Sequence, residues 1–140
     1  MLIDELKTAN IEAMKNRDNV SRGIFAVVIT KYKNQEVEYR AQNKEMGDKE
    51  LLAIIQKTLK ELSDEKEGYK KVNNQERVDN ITKQEEALSK YLPKQLSEQE
   101  IRDIINSLDD KSVPNVMKHF KTNYAGQVDM SLVNSVLRSL

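Results

Sequence analysis

Tyr91-Leu92-Pro93-Lys94-Gln95-Leu96-Ser97-Glu98-Gln99-Glu100 is the stretch on which the reading of this chain turns. It stops one helix, lays down an extended link and starts the next. Pro93 disfavours helical geometry at Leu92, so a helix running through Leu88 and Tyr91 is expected to end there. Ser97 has the side chain of an N-cap. Glu100, three residues on, can reach back to complete a capping box ahead of the apolar positions Ile101, Ile104 and Ile105. Pro93 is the only proline in the first hundred residues. The domain boundary is therefore placed here, with residues 1–92 as one part and 93–140 as the other.

Towards the N-terminus, apolar residues recur at helical spacing. Leu2 or Ile3, Leu6, Ala9 or Asn10, Ala13 and Met14 mark a first helix to about Lys15. Asn16 to Asn19 form a polar turn in which Asp18 can cap the second helix. That helix, to about Gln42, presents Val20, Ile24, Val27, Val28 and Tyr32, and unbroken it would span roughly 35 Å. Gly23 is its weakest place. The β-branched run Ile24–Ile29 could also read as a buried strand, but charged residues come after it at helical spacing with no turn signal. Gly47 is read as the end of that element and Asp48 as the N-cap of a third helix with Leu51, Leu52, Ile55, Leu59 and Leu62 inward. Gly68 weakens this helix and Asn73-Asn74 end it. A fourth runs from Gln75 to Leu92 with Val78, Ile81, Leu88 and Leu92 inward. The charge-rich run Glu61 to Glu67 is a solvated face.

Beyond the boundary three short helices are expected. The first buries Ile101, Ile104, Ile105 and Leu108. The second has Pro114 in its first turn and Val113, Val116, Met117, Phe120 and Tyr124 as its stripe. Gly126 stops it, and Asp129 caps a last helix carrying Leu132, Val133, Val136, Leu137 and Leu140. The fold class is all-α: an N-terminal helical hairpin or bundle with long helices, then a small three-helix domain.

Composition narrows the function. The 140 residues include two prolines, four glycines, no cysteine and no tryptophan, which favours long helices and excludes disulfides and thiolate metal sites. No apolar run approaches the roughly 18 residues of a membrane span. The acidic, amphipathic start MLIDELKTAN does not read as a secretory signal. A cytoplasmic protein is expected. The 23 basic and 23 acidic residues split 17 against 17 before Pro93 and 6 against 6 after it, so neither part shows the excess of a strong nucleic-acid binder.

Catalytic constellations are scarce. One histidine, His119, cannot supply the two Glu-x-x-His motifs of a helical di-iron site, and a four-ligand zinc site is not expected. No Gly-x-Ser-x-Gly elbow or phosphate-binding Gly-x-x-x-x-Gly-Lys loop occurs. Glu85 and Glu86 are adjacent on a helix, so they diverge as surface residues. No metal, cofactor or catalytic residue is expected. The best candidate surface is the helix after Pro114, where Asn115, Lys118, His119, Lys121 and Thr122 face outward. Its lysines could contact phosphate, aided by Lys94, Lys111 and Arg138. Tyr124 could stack a base, but a place in the core is the favoured reading for it. Met117 and Phe120 sit on the stripe and belong to the core. Pro93, Ser97, Glu100, Gly126 and Asp129 have structural roles as helix stops and starts.

YLPKQLSEQE (Tyr91–Glu100) and VMKHFKTNYAGQVDMSLVNSVL (Val116–Leu137) resemble the signatures of the YqeY family, whose members are similar to the C-terminal part of the tRNA-dependent amidotransferase B subunit (the GatB/YqeY domain). The resemblance runs over the whole chain and is most specific in its last fifty residues. It implies an N-terminal helical part followed by a small helical tail. In the B subunit the similar region helps engage tRNA, and the transamidation site lies in a domain without a counterpart here. The family resemblance thus implies an accessory, non-catalytic role with tRNA or another RNA. The alternatives are a helical adaptor docking on an enzyme or ribosomal partner and, weakest, a carbon–nitrogen ligase using glutamine as amide donor. Two departures bear on the transfer. Pro114 stands where the family usually has glycine, and Ala26 where relatives carry arginine in the apolar run of the second helix.

Overall fold

The computed structural model describes residues 1–140, and every regular element in it is a helix. In chain order these are α1 (Leu2–Lys15), α2 (Asn19–Ala41), α3 (Asp48–Lys71), α4 (Gln75–Ser89), α5 (Glu98–Ser107), α6 (Val113–Asn123) and α7 (Met130–Arg138). The strand alternative for Ile24–Ile29 is thereby discarded. The chain forms two compact units, Met1–Tyr91 and Leu92–Leu140.

In the N-terminal unit α2 packs against α1, α3 and α4, so its buried face is broad. Ile24, Phe25, Val28, Ile29 and Tyr32 all point inward. Val27, expected on that face, is instead 44% exposed, because the neighbouring helices rotate the covered stripe towards Phe25 and Ile29. Phe25 meets Tyr91 edge-on, with ring centroids 6.0 Å apart at 88°. α3 buries Leu51, Ile54, Ile55 and Leu62, while Leu52 and Leu59 lie at the margin. Its buried Thr58 is satisfied twice: its hydroxyl donates to the Ile54 carbonyl at 2.8 Å and accepts from Lys31 Nζ at 3.1 Å.

Three helices end alike. Arg17, Asn43 and Asn73 adopt φ of 56°, 57° and 56°. After each, the next amide bonds back into the helix: Asp18 to Ala13, Lys44 to Tyr39, Asn74 to Tyr69. These are Schellman ends, which satisfy carbonyls that the helix leaves open. α2 therefore closes at Asn43, and Gly47 is not its terminator. Gly47 is instead the N-cap of α3, its N–H donating to Glu50 Oε2 at 2.8 Å. Asp48, expected as that cap, is already helical, and its carboxylate accepts the Leu2 N–H at 3.1 Å, serving the otherwise uncapped start of α1. α2 and α3 run uninterrupted through Gly23 and Gly68. α4 stops at Ser89, a turn earlier than Pro93 alone dictates, and Leu92 is only half-buried.

The C-terminal unit closes around Ile101, Ile105, Val116, Phe120, Val128, Val133 and Val136, with α7 packed on both α5 and α6. The capping box forms as read: Ser97 Oγ accepts the Glu100 N–H at 3.1 Å and Glu100 Oε1 accepts the Ser97 N–H at 3.2 Å. Asp129 caps α7 through the Ser131 N–H at 2.9 Å. Val113 and Leu140, expected in the core, are each 52% exposed, because Val113 begins α6 before its stripe is covered and Leu140 lies beyond α7. No helix is long and apolar enough to cross a membrane.

Candidate nucleic-acid interface

α6 turns both of its lysines outward. Pro114 occupies its first turn, where a missing N–H costs nothing, and Val116 and Phe120 anchor it in the core. The helix contains no acidic residue. Lys118 and Lys121 are exposed and three positions apart, hence on neighbouring parts of one face. Neither takes part in an ion pair, since the only one within the C-terminal unit joins Arg102 to Glu98 on α5. Lys121 also sits in the last turn, where a cation is favoured by the helix dipole.

The C-terminal end of α6 gathers three rings. Phe120 is fully buried, and half-buried His119 and Tyr124 flank it. Centroid separations are 5.9 Å for His119–Phe120, 5.9 Å for His119–Tyr124 and 5.6 Å for Phe120–Tyr124. Asn123 fixes the imidazole: its side-chain amide donates to the His119 carbonyl at 3.1 Å and lies 3.2 Å from Nδ1. With the amide nitrogen as donor, Nδ1 is the acceptor in this contact. Sequence reasoning missed Asn123. Its spacing of four residues from His119 on a helix is the signal that could have found it.

Tyr124 itself opens a tight turn. The Gln127 N–H donates to its carbonyl at 3.0 Å, and Gly126 at φ 78° takes the third place, where a type II turn needs a positive φ. The link before α5 clips onto this turn. Gln95 Nε2 donates to the Gly126 carbonyl at 2.6 Å, and the Leu96 N–H donates to the Gln127 carbonyl at 2.8 Å. The stretch that opens the unit thus braces the turn beside the rings.

The remaining sequence-predicted cations are distributed differently. Lys94 lies in the link, close enough to Glu100 to add to the low carboxyl pKa that hydrogen bonds from Ser97 chiefly produce. Lys111 donates to the Leu108 carbonyl at 2.8 Å, so its ammonium serves the end of α5. Arg138 is exposed in the last turn of α7. The balanced charge of this unit conceals a polarity. From Lys111 onward there are Lys111, Lys118, Lys121 and Arg138 against Asp129 alone, whereas Glu98, Glu100, Asp103, Asp109 and Asp110 all precede them.

The N-terminal unit offers shallow clefts. One of about 310 Å³ is lined by Tyr69, Arg77, Asn80 and Gln84 among others, and one of about 410 Å³ follows α1 past Asp4, Glu5, Glu12 and Tyr91. No three carboxylate or imidazole groups converge as a metal-binding cluster.

A family model described as Yqey-like protein matches residues 3–140. No curated protein matches the chain.

Proposed function

The chain belongs to the YqeY family, and from that premise we propose that it is a non-catalytic accessory RNA-binding protein with tRNA as the favoured partner. One observation carries the reading: α6 exposes Lys118 and Lys121, free of ion pairs and with no acid on the helix, beside the half-exposed rings of His119 and Tyr124. Lysines contact phosphate without reading sequence, and few such contacts mean modest affinity that falls steeply with salt. The resemblance of the tail to the tRNA-engaging region of the amidotransferase B subunit supports the same partner. A cytoplasmic setting goes with this reading.

The test is binding of the full chain to total tRNA across a salt series, beside a Lys118→Ala/Lys121→Ala variant. Binding should weaken with salt. The variant should bind less tightly, with a log–log salt slope shallower by about 1.5, as expected for two lost phosphate contacts. Absence of binding at low salt overturns the proposal.

An adaptor role is the second reading, favoured by Ile11, Met14 and Val27, which are 47%, 49% and 44% exposed on the N-terminal unit. Unchanged capture of a protein partner by a variant with all three residues replaced by Gln would remove it.

A further inference from the structure

We propose that the end of α6 holds an unpaired nucleobase against Tyr124 and His119, so that the RNA taken by this surface is single-stranded or carries an unpaired loop or end. The inference rests on the RNA-binding reading above and narrows its ligand class.

The geometry supports it in three ways. First, the two rings are half-exposed yet held in place. Tyr124 leans on fully buried Phe120 at 5.6 Å and 41°, and on His119 at 5.9 Å and 54°. Asn123 pins the imidazole, and the Gly126 turn pins the residue that carries the phenol. Rings ordered in advance lose little entropy when a base settles on them. Second, Phe120 is fully buried, whereas Tyr124 and His119 lie at the margin of the core and are partly exposed. Third, exposed cations stand on the same helix. Lys121 precedes Tyr124 by three positions and Lys118 precedes Lys121 by three, so phosphates next to a base on Tyr124 have partners within a helical turn or two. Aromatic platforms flanked by basic residues suit unpaired bases of any identity, because every base has a π face. In a duplex the faces are already stacked on neighbours, leaving only phosphates and groove edges to read.

The experiment uses the full chain and two fluorescein-labelled RNAs at low salt: a 12-nucleotide oligo(A) single strand and a 12-base-pair duplex. Fluorescence anisotropy should show the single strand bound on the order of ten-fold more tightly. Tyr124→Leu should reduce single-strand affinity on the order of ten-fold and leave duplex affinity unchanged, while Tyr124→Phe retains both. Lys118→Ala/Lys121→Ala should weaken both probes. Should Tyr124→Leu fail to fold by circular dichroism, His119→Ala and the NMR resonances of the wild-type Tyr124 ring decide. Those resonances should move upfield with the single strand and not with the duplex. Equal affinity for the two probes, a folded Tyr124→Leu protein that binds the single strand normally, or unmoved ring resonances would overturn the stacking inference while leaving RNA binding intact. If wild type binds neither probe, the RNA-binding reading falls and this inference with it.

Discussion

Lys66 Nζ stands 2.6 Å from Glu85 Oε1, joining α3 to α4 with each side chain only 21% exposed. Glu85 reads in the sequence as one of two diverging surface carboxylates, but only Glu86 is exposed. Fully exposed pairs contribute about 0–1 kcal/mol, whereas breaking a fully buried one costs about 3–5 kcal/mol. Glu85→Ala should therefore destabilise the N-terminal unit by about 1–2 kcal/mol. Urea unfolding should show Glu86→Ala close to wild type. The Lys66→Ala/Glu85→Ala double variant should lose less than the sum of the singles, since the two residues form one interaction. Strict additivity would show that the pair contributes no coupling.

Asp18 caps α2 and holds Lys83 of α4, its Oδ1 lying 3.2 Å from the Ser21 nitrogen and 3.0 Å from Lys83 Nζ. The Lys83 bond, followed by those of Ser21, lowers the carboxyl pKa below the ordinary value of 3.8. A carboxylate depressed in the folded state adds stability that is fully present above its unfolded pKa. That stability is lost as pH falls through the folded value. Asn is an equally good N-cap, so Asp18→Asn removes the charge and keeps the cap. The variant should be less stable than wild type at pH 7, and the two should converge below about pH 4. A difference that persists at low pH would mean the side chain acts through packing instead.

How much of the fold is legible in the sequence depends on the range of the interaction involved. Ser97, Glu100, Asp129 and Pro114 act within a helical turn of their own position, and the structure places each at the helix end read for it. Which of Phe25, Val27 and Ile29 turns inward depends on where α1, α3 and α4 lie across α2, and a period cannot specify that. Asp48 reaches Leu2 over 46 residues, so its capping role belongs to the tertiary fold. The candidate surface shows the same division. Lys118, His119 and Lys121 are legible from helical spacing, but the polarity of charge vanishes when it is summed over the whole tail. The bracing of Tyr124 needs the Gly126 turn and Gln95, 31 residues apart, to meet.

Gly126 at φ 78° is a backbone geometry that an L side chain adopts at a cost of about 1–2 kcal/mol. Gly126→Ala should destabilise the C-terminal unit by about that much, with little effect on the N-terminal one. The Leu96 amide, bonded to the Gln127 carbonyl at 2.8 Å, is the local reporter. Its hydrogen exchange should accelerate ahead of the amides of α2. Equal acceleration in both units would show that the turn's strain is not confined to the tail.

Arg17 holds φ 56° at the end of α1, the same left-handed position that Asn43 and Asn73 fill after α2 and α3. Asn tolerates this region because its short polar side chain can bond locally, whereas a long side chain gains nothing there. The Arg17 guanidinium makes no ion pair that would be lost on substitution. Relief of the Cβ contact is worth about 1–2 kcal/mol, and the added freedom of an unfolded glycine takes back about 0.4–1 kcal/mol. Arg17→Gly should therefore stabilise the N-terminal unit by about 0.5–1 kcal/mol, and Arg17→Asn by somewhat less. Both shifts should appear as higher urea midpoints with an unchanged slope. A lower midpoint for the glycine variant would mean that Arg17 contributes a stabilising interaction larger than the strain it bears.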